Sequence, residues 1–396
     1  MARLNAAAHP REAIKENLYV PRPGATVADF LVRRLELEPS SSHLIVGGVG
    51  SGKTTQLLMG QKQLQTVPDV HACFIDVSER HDLAKLRSSV LLVLAGLTLG
   101  EMFPEPVSQA IKLARENFRK WAHGYVEWFD VRDAGDEEPP DHDDDDRFMR
   151  PVHVQGVLVP PEPALRADIQ AKARQLAVLR EGLEKSIKHV VVLFDSLDRL
   201  TDLKSFAEVV DQDIRAIKSA GLGVVVVGPL RTLFGPGRTI ADRFDYLYHQ
   251  SSVDVEQDTA GEEFLGRILR KRVEADLLPD EALHRVVQFS GGVLRDLISL
   301  ARSAGEEAYT AGIDRVGVTH VESAADAFGR SLMLGLGPDE ITVLQRVRTQ
   351  RSFVQTSDKD IALLVTRRVL EYTNGIPRYA VHPTIAPLLE QLATKP

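Results

Sequence analysis

The chain has 396 residues, room for two or three domains, and its 43% hydrophobic and 26% charged content excludes disorder, collagen and coiled coil. The net charge is -8, but nine acids lie between positions 133 and 146; elsewhere acids and bases nearly balance, so no global basic field points to nucleic acid. One cysteine, Cys73, excludes a disulfide framework; the start lacks a signal-like apolar core and the longest apolar run, 90–99, is too short to span a bilayer, so a soluble, cytoplasmic protein is expected.

In chain order, helical spacing covers 26–37, and the apolar run at 43–48 reads as a buried strand. A second strand is expected at 71–78, a helix from 81 to about 99, and another after Pro106. Between 131 and 163 the rhythm breaks into EEPPDHDDDD and two Pro-Pro pairs, an acidic surface loop without EF-hand spacing. A helix at about 163–187 precedes strands at 189–195, 223–228 and 245–253, with a helix at 203–219 between the first two. The runs at 189–195 and 223–228 are continuous and β-branched, as strands covered on both faces require, so the fold class is α/β with a parallel sheet flanked by helices. Beyond 256 four helices are expected, at 258–274, 279–289, 292–311 and 317–334. The final sixty or so residues suggest helices and a hairpin or wing about an Asn-Gly turn.

Gly47, Gly48, Val49, Gly50, Ser51, Gly52, Lys53 and Thr54 match G-x-x-x-x-G-K-[ST] between the first strand and a helix opened by Lys53, Thr54 and Thr55. Glycines let the backbone wrap phosphate oxygens with inward N–H groups, and the helix N-terminus adds partial positive charge. Lys53 suits the β- and γ-phosphates, and the Thr54 hydroxyl suits Mg²⁺. The apolar strand ending in Asp195 supplies the expected metal-holding carboxylate. Asp198 either positions the attacking water or caps a helix.

These motifs resemble AAA+ and STAND P-loop ATPases, archaeal origin-initiator-like ones in particular. The resemblance implies a five-stranded ASCE-type sheet of order 5-1-4-3-2 over residues 1–255. It also implies an all-helical lid at 256–334, a winged-helix-like domain at 335–396, and ATP or ADP with Mg²⁺ as cofactors. It places Tyr19 and Val20 by the adenine, Arg243 as a residue reaching a neighbouring subunit's site, and Arg295 as the lid arginine over the γ-phosphate. His382 matches the wing histidine that holds the β-phosphate of ADP, although Pro383 replaces the usual aspartate; capping of Thr384 is the other reading of this histidine.

Two positions depart from the family pattern. Ser196 follows Asp195 where a water-polarising carboxylate is usual, and the strand-four tip, Gly228-Pro229-Leu230-Arg231, lacks the usual polar sensor, for which Arg231 or Thr232 would substitute. Both point to slow hydrolysis. Residues 336–396 hold eight Lys or Arg against six Asp or Glu, with Arg346, Arg348, Arg351, Arg367 and Arg368 as candidate duplex contacts. The leading expectation is an ATPase switch that forms homo-oligomers when ATP-bound and reports to DNA or a protein effector. The alternative is a nucleotide-binding scaffold with negligible hydrolysis that binds a protein effector.

Overall fold

A computed structural model describes residues 10–123, 169–184, 187–355, 357–373 and 377–393. The acidic 131–163 segment and the Asn374-Gly375 turn lie outside the described residues. Five strands, β1 Ser42–Val46, β2 Val70–Asp76, β3 His189–Asp195, β4 Gly223–Val227 and β5 Tyr246–His249, form a sheet of order β2-β3-β4-β1-β5. The pairs β1–β5, β2–β3 and β3–β4 are parallel, and the order is 5-1-4-3-2 read from the other edge. Every residue of β4 and all but the first of β3 are buried, which is why both sequences are uninterrupted apolar runs.

The chain separates into two compact units. One takes in the described parts of Met1–Leu37, His43–Thr66 and Val227–Pro396. In it the Lys53–Leu64 helix packs on the Val27–Leu37 helix, and Gln56 Oε1 accepts the Ala28 N–H at 3.2 Å. The helices Thr259–Arg270, Asp280–Phe289, Leu294–Thr310 and Val318–Met333 enclose a core that includes Phe264, Leu265, Val286, Leu297, Leu300 and Val321. The C-terminal residues form helices Pro338–Gln350 and Asp358–Val365, an antiparallel hairpin of β6 Val369–Tyr372 with β7 Arg378–Val381, and a last helix Ala386–Ala393. Leu344, Val347, Leu363, Ile385 and Leu389 hold these together.

The other unit takes in Glu38–Ser42 and the described parts of Val67–Val226. The helix expected from position 81 begins only at Val90, and residues 81–89 instead contain a 3-10 turn, Leu83–Lys85. Asp213 causes the late start. Its carboxylate accepts the N–H groups of Ser89 (2.5 Å), Leu91 (2.8 Å) and Leu92 (3.4 Å), while Ser89 takes a left-handed φ of 79° that breaks any earlier helix. Burial pushes the Asp213 carboxyl up to about 7, against the lowering pull of those N–H groups and of the Lys172 charge.

Candidate nucleotide site

The 47–54 loop leaves β1 and enters the Lys53–Leu64 helix, whose first N–H groups have no partner within the helix. Lys53 is 5% exposed, and its Nζ donates to the Gly47 and Gly48 carbonyls, each at 2.9 Å, which folds the ammonium into the loop. Ser51 Oγ is buried with no hydrogen-bond partner among the described residues. A Cβ added at Gly48 would meet nothing within 4 Å, so this side of the loop is open. Free N–H groups at a helix start, an ammonium, an unsatisfied hydroxyl and an open flank fit a bound phosphate chain.

Gly50 shows why the loop needs glycine. Its φ is +80°, and a Cβ there would lie 2.8 Å from both Arg295 Cβ and Val293 Cγ1. The loop therefore abuts the start of the Leu294–Thr310 helix, and the Leu294 N–H donates to the Gly50 carbonyl at 3.1 Å. Arg295, an exposed residue of that first helical turn, is thus held beside the loop. Asp296, the next residue, pairs with Arg367, and Glu306, about three turns further along the helix, pairs with Arg302.

Residues 17–20 are fixed to the end of the Thr259–Arg270 helix. Lys271 Nζ donates to the carbonyls of Asn17 (3.1 Å) and Tyr19 (3.0 Å), and Arg272 Nη1 donates to that of Leu18 (3.1 Å). Val20 is buried in the helical core, so its side chain is not presented to a base; burial raises the Tyr19 phenol. Arg243 is exposed just before β5, after the short Arg238–Ala241 helix.

In the other unit, Asp195 ends β3 at 2% exposure, and β2 ends in register with it at Asp76. Asp76 accepts the Ser78 N–H at 3.0 Å and the Ser78 hydroxyl at 2.7 Å, and the Ser196 side chain also bonds to it. Burial works to raise this carboxyl, but the hydrogen bonds from Ser196 and Ser78 and the Arg199 charge hold it below the usual range. Asp198, half-buried, sits on the 3-10 turn Leu197–Arg199.

Two further expectations need correction. His382 is fully buried, with Nδ1 2.8 Å from Thr384 Oγ1 and Nε2 3.4 Å from Asp296 Oδ2, so in this conformation neither nitrogen faces a phosphate. It caps its own turn and steadies the acid next to Arg295. Thr232 cannot replace the strand-four sensor, because its buried hydroxyl donates to the Pro229 carbonyl at 2.7 Å. The arginines considered for duplex contact all face protein groups. Arg367 pairs with buried Asp296, and Arg368 donates to the carbonyls of Leu332 (2.6 Å) and Leu334 (3.1 Å). Arg348 pairs with Glu390 at 2.7 Å, Arg351 with Glu256 at 3.2 Å, and Arg346 donates to the Val354 carbonyl at 3.3 Å.

Sequence reasoning missed the contacts that seat the hairpin. Tyr372 Oη donates to the Gly291 carbonyl at 2.9 Å, Thr373 Oγ1 to Ser251 Oγ at 2.7 Å, and Arg378 grips Asp254 through Nη2 (2.6 Å) and Nε (3.2 Å). The Gly291-Gly292 pair was the available signal, since a side chain at 291 would strike Leu370 and Pro383. Asp76 was also missed, although its strand, like that of Asp195, is a hydrophobic run closed by an acid.

Among the described residues no helix is long and apolar enough to cross a membrane. No family model and no curated protein matches the chain. Solved structures align over nearly all of it. The Aeropyrum pernix ORC2 protein, in ADPNP-ADP complexes, is 14% identical over 95% of this chain and 97% of that one, with a TM-score of 0.45. Cdc6p from Pyrobaculum aerophilum is 12% identical over 94% and 96%, at 0.39. The Thermotoga maritima RuvB Holliday junction branch migration motor is 14% identical over 98% and 95%, also at 0.39. At these values the likeness is one of chain course and gives no residue a role.

Proposed function

We propose that the chain binds Mg-ATP at its 47–54 loop and hydrolyses it slowly, working as a nucleotide-controlled switch. The observation that carries this reading is the contact between loop and helix: the Gly50 carbonyl accepts the Leu294 N–H, which sets Arg295 beside the phosphate loop. A γ-phosphate would draw the Arg295 guanidinium inward, and loss of that phosphate would release it. Lys53 binds the phosphate chain, Tyr19 is the candidate adenine contact, and Thr54 is the candidate magnesium ligand. When bound, the metal neutralises charge on the β- and γ-oxygens.

The division into an ATPase domain to residue 255, a helical lid to 334 and a winged-helix-like end is part of this proposal. So is assembly in the ATP state, in which the exposed Arg243 reaches the site of a second copy. Asp296 follows Arg295 directly and holds Arg367 of the C-terminal region, so movement of the helix start is felt at the hairpin. DNA contact through Arg367 or Arg368 would require them to leave these partners, and salt-sensitive duplex binding seen only with ATP would mark that release.

Phosphate release and particle mass test the reading. The expected result is Mg-ATP turnover well below ~10 per second, with assembly under a non-hydrolysable ATP analogue and not under ADP. Tight nucleotide retention with no phosphate release would favour the scaffold alternative instead. A chain that ignores nucleotides would remove the proposal.

A further inference from the structure

If the chain hydrolyses ATP at its 47–54 loop, as proposed above, a group must orient the attacking water, and a carboxylate suits that task. We propose that Glu371 of β6, in the same compact unit as the loop, is that group, with Tyr379 of β7 and His249 of β5 holding it in position.

A cleft with about 300 Å³ of empty space, part of it open to solvent, borders the loop at Gly48 and Val49. Gly48 is also the loop residue beside which an added Cβ would meet nothing. The other walls include His249, Ser251, Arg367 and Glu371, and Glu371 is the one acid among the described lining residues. Strand register fixes the carboxylate. Glu371 pairs with Tyr379 across the hairpin, and Tyr379 Oη donates to Glu371 Oε1 at 3.0 Å. Burial and the Glu371 charge both raise the Tyr379 phenol, so it remains a donor at neutral pH. The second oxygen, Oε2, is buried and has no hydrogen bond among the described residues. His249 Nε2 lies 3.1 Å from it and has none either, so the two atoms touch out of line. A buried carboxylate oxygen left in this way calls for a third group, and a water fits a cleft of this size. One oxygen anchored and the other free for a water is the arrangement a general base needs.

In the reaction the water oxygen bonds to the γ-phosphorus while the bond to the β,γ-bridging oxygen breaks. The water proton passes to Glu371 and then to solvent, leaving ADP and inorganic phosphate. Because Tyr372 seats the hairpin on Gly291 and Thr373 seats it on Ser251, hydrolysis requires a seated hairpin.

A purely structural role exists for Glu371, since it ties β6 to β7 and lies against His249. Glu371→Gln separates the two, because the amide oxygen can still accept the Tyr379 O–H and only the charge is lost. The experiment measures, on the full chain, binding of a fluorescent ATP analogue, steady-state phosphate release from Mg-ATP, and hydrogen exchange of the hairpin. A carboxylate beside a phosphate site opposes binding, so Glu371→Gln is expected to bind the analogue at least as tightly as the wild type. Its phosphate release is expected to fall about 100-fold or more, the range of lost general-base help, with protection of β6 and β7 unchanged. Tyr379→Phe, which frees Oε1, is expected to slow release roughly tenfold and to add nothing to Glu371→Gln. Turnover unaltered in Glu371→Gln, or lost together with hairpin protection, would overturn the assignment. So would a wild-type chain that binds ATP without releasing phosphate, which leaves nucleotide binding standing; a chain that binds no nucleotide removes that reading as well.

Discussion

The phosphate loop and the acid edge of β2 and β3 are built in opposite ways. The loop is written in eight consecutive residues, and its groups are mostly backbone: amides, carbonyls and glycine conformations that leave little to side-chain choice. The acid edge is assembled from strand ends far apart in sequence, and its groups are side chains, Asp76, Asp195, Ser196 and Ser78, that hold one another. Backbone devices leave little room for substitution. A side-chain device can set a charge on either of two adjacent strands when register places them together, and here both β2 and β3 end in a carboxylate, Asp76 and Asp195.

Mutations can break this comparison cleanly. Lys53→Ala should cost the most, because the ammonium is the loop's one full charge; each charge-assisted bond lost to a phosphate removes about 1.5–3 kcal/mol, so ATP affinity should fall by a hundredfold or more in a binding titration. Asp195→Asn should instead keep most of the affinity and lose turnover. If both variants failed alike in binding, the separation of loop and edge into binding and chemistry would be wrong.

Next in size is Asp296→Ala. Asp296 is 1% exposed, with Arg367 and His382 both turned toward it. Removing it leaves a largely buried guanidinium unpaired, a change that costs about 3–5 kcal/mol. A lower urea midpoint is expected, with hydrogen-exchange protection lost first in β6 and β7. Equal protection there would mean that the hairpin is held by Arg378 and its own core alone.

The loop itself can be sharpened with two glycines. Gly50→Ala must place a Cβ against Arg295 and Val293 from a left-handed backbone, worth about 1–2 kcal/mol in conformation before the overlap is counted. Gly48→Ala meets open space at an ordinary φ. The urea midpoint should fall in the first and hold in the second, whose methyl enters only the open flank that phosphate would fill. Equal losses of stability would mean that the approach of the Leu294–Thr310 helix is not what demands glycine at position 50.

How much of this was legible follows from how each part is encoded. The sheet strands were readable because β3 between His189 and Asp195 and the whole of β4 are unbroken runs of Val, Leu, Phe or Gly, and the loop because its pattern is contiguous. A hairpin or wing was expected about the Asn-Gly turn, and β6 pairs with β7 there. The late start of the Val90–Glu101 helix was not readable, since the cap that fixes it, Asp213, comes from a distant helix. His382 illustrates the same limit. As a lone histidine it reads as a turn cap, with a phosphate ligand as what the resemblance implies, and the packing of Asp296 and Thr384 around it decides for the structural role.

Asp213 also gives the smallest and most specific prediction, one that probes the unit carrying the acid edge without touching the edge. Its carboxyl is raised from 3.8 in the reference state to about 7 in the fold, with burial as the main cause. Between those values the folded chain binds the extra proton, so stability from this group is full below about pH 4 and declines as pH rises toward 7. The slope cannot exceed ~1.4 kcal/mol per pH unit for one proton. His81 acts in the opposite sense: burial lowers its pKa, so it favours folding more as pH rises through the same window. Asp29, Asp76 and Asp202, all lowered, stay ionised above pH 5 and drop out. The measurement is therefore a difference, the urea midpoint at pH 5.5 and at pH 6.5 for the wild-type chain and for Asp213→Asn. The His81 contribution cancels between the two proteins, and the wild type should lose up to about 1 kcal/mol more than the variant over that interval. Parallel pH profiles would show that Asp213 is already ionised in the fold, with Lys172 and the helix start outweighing its burial.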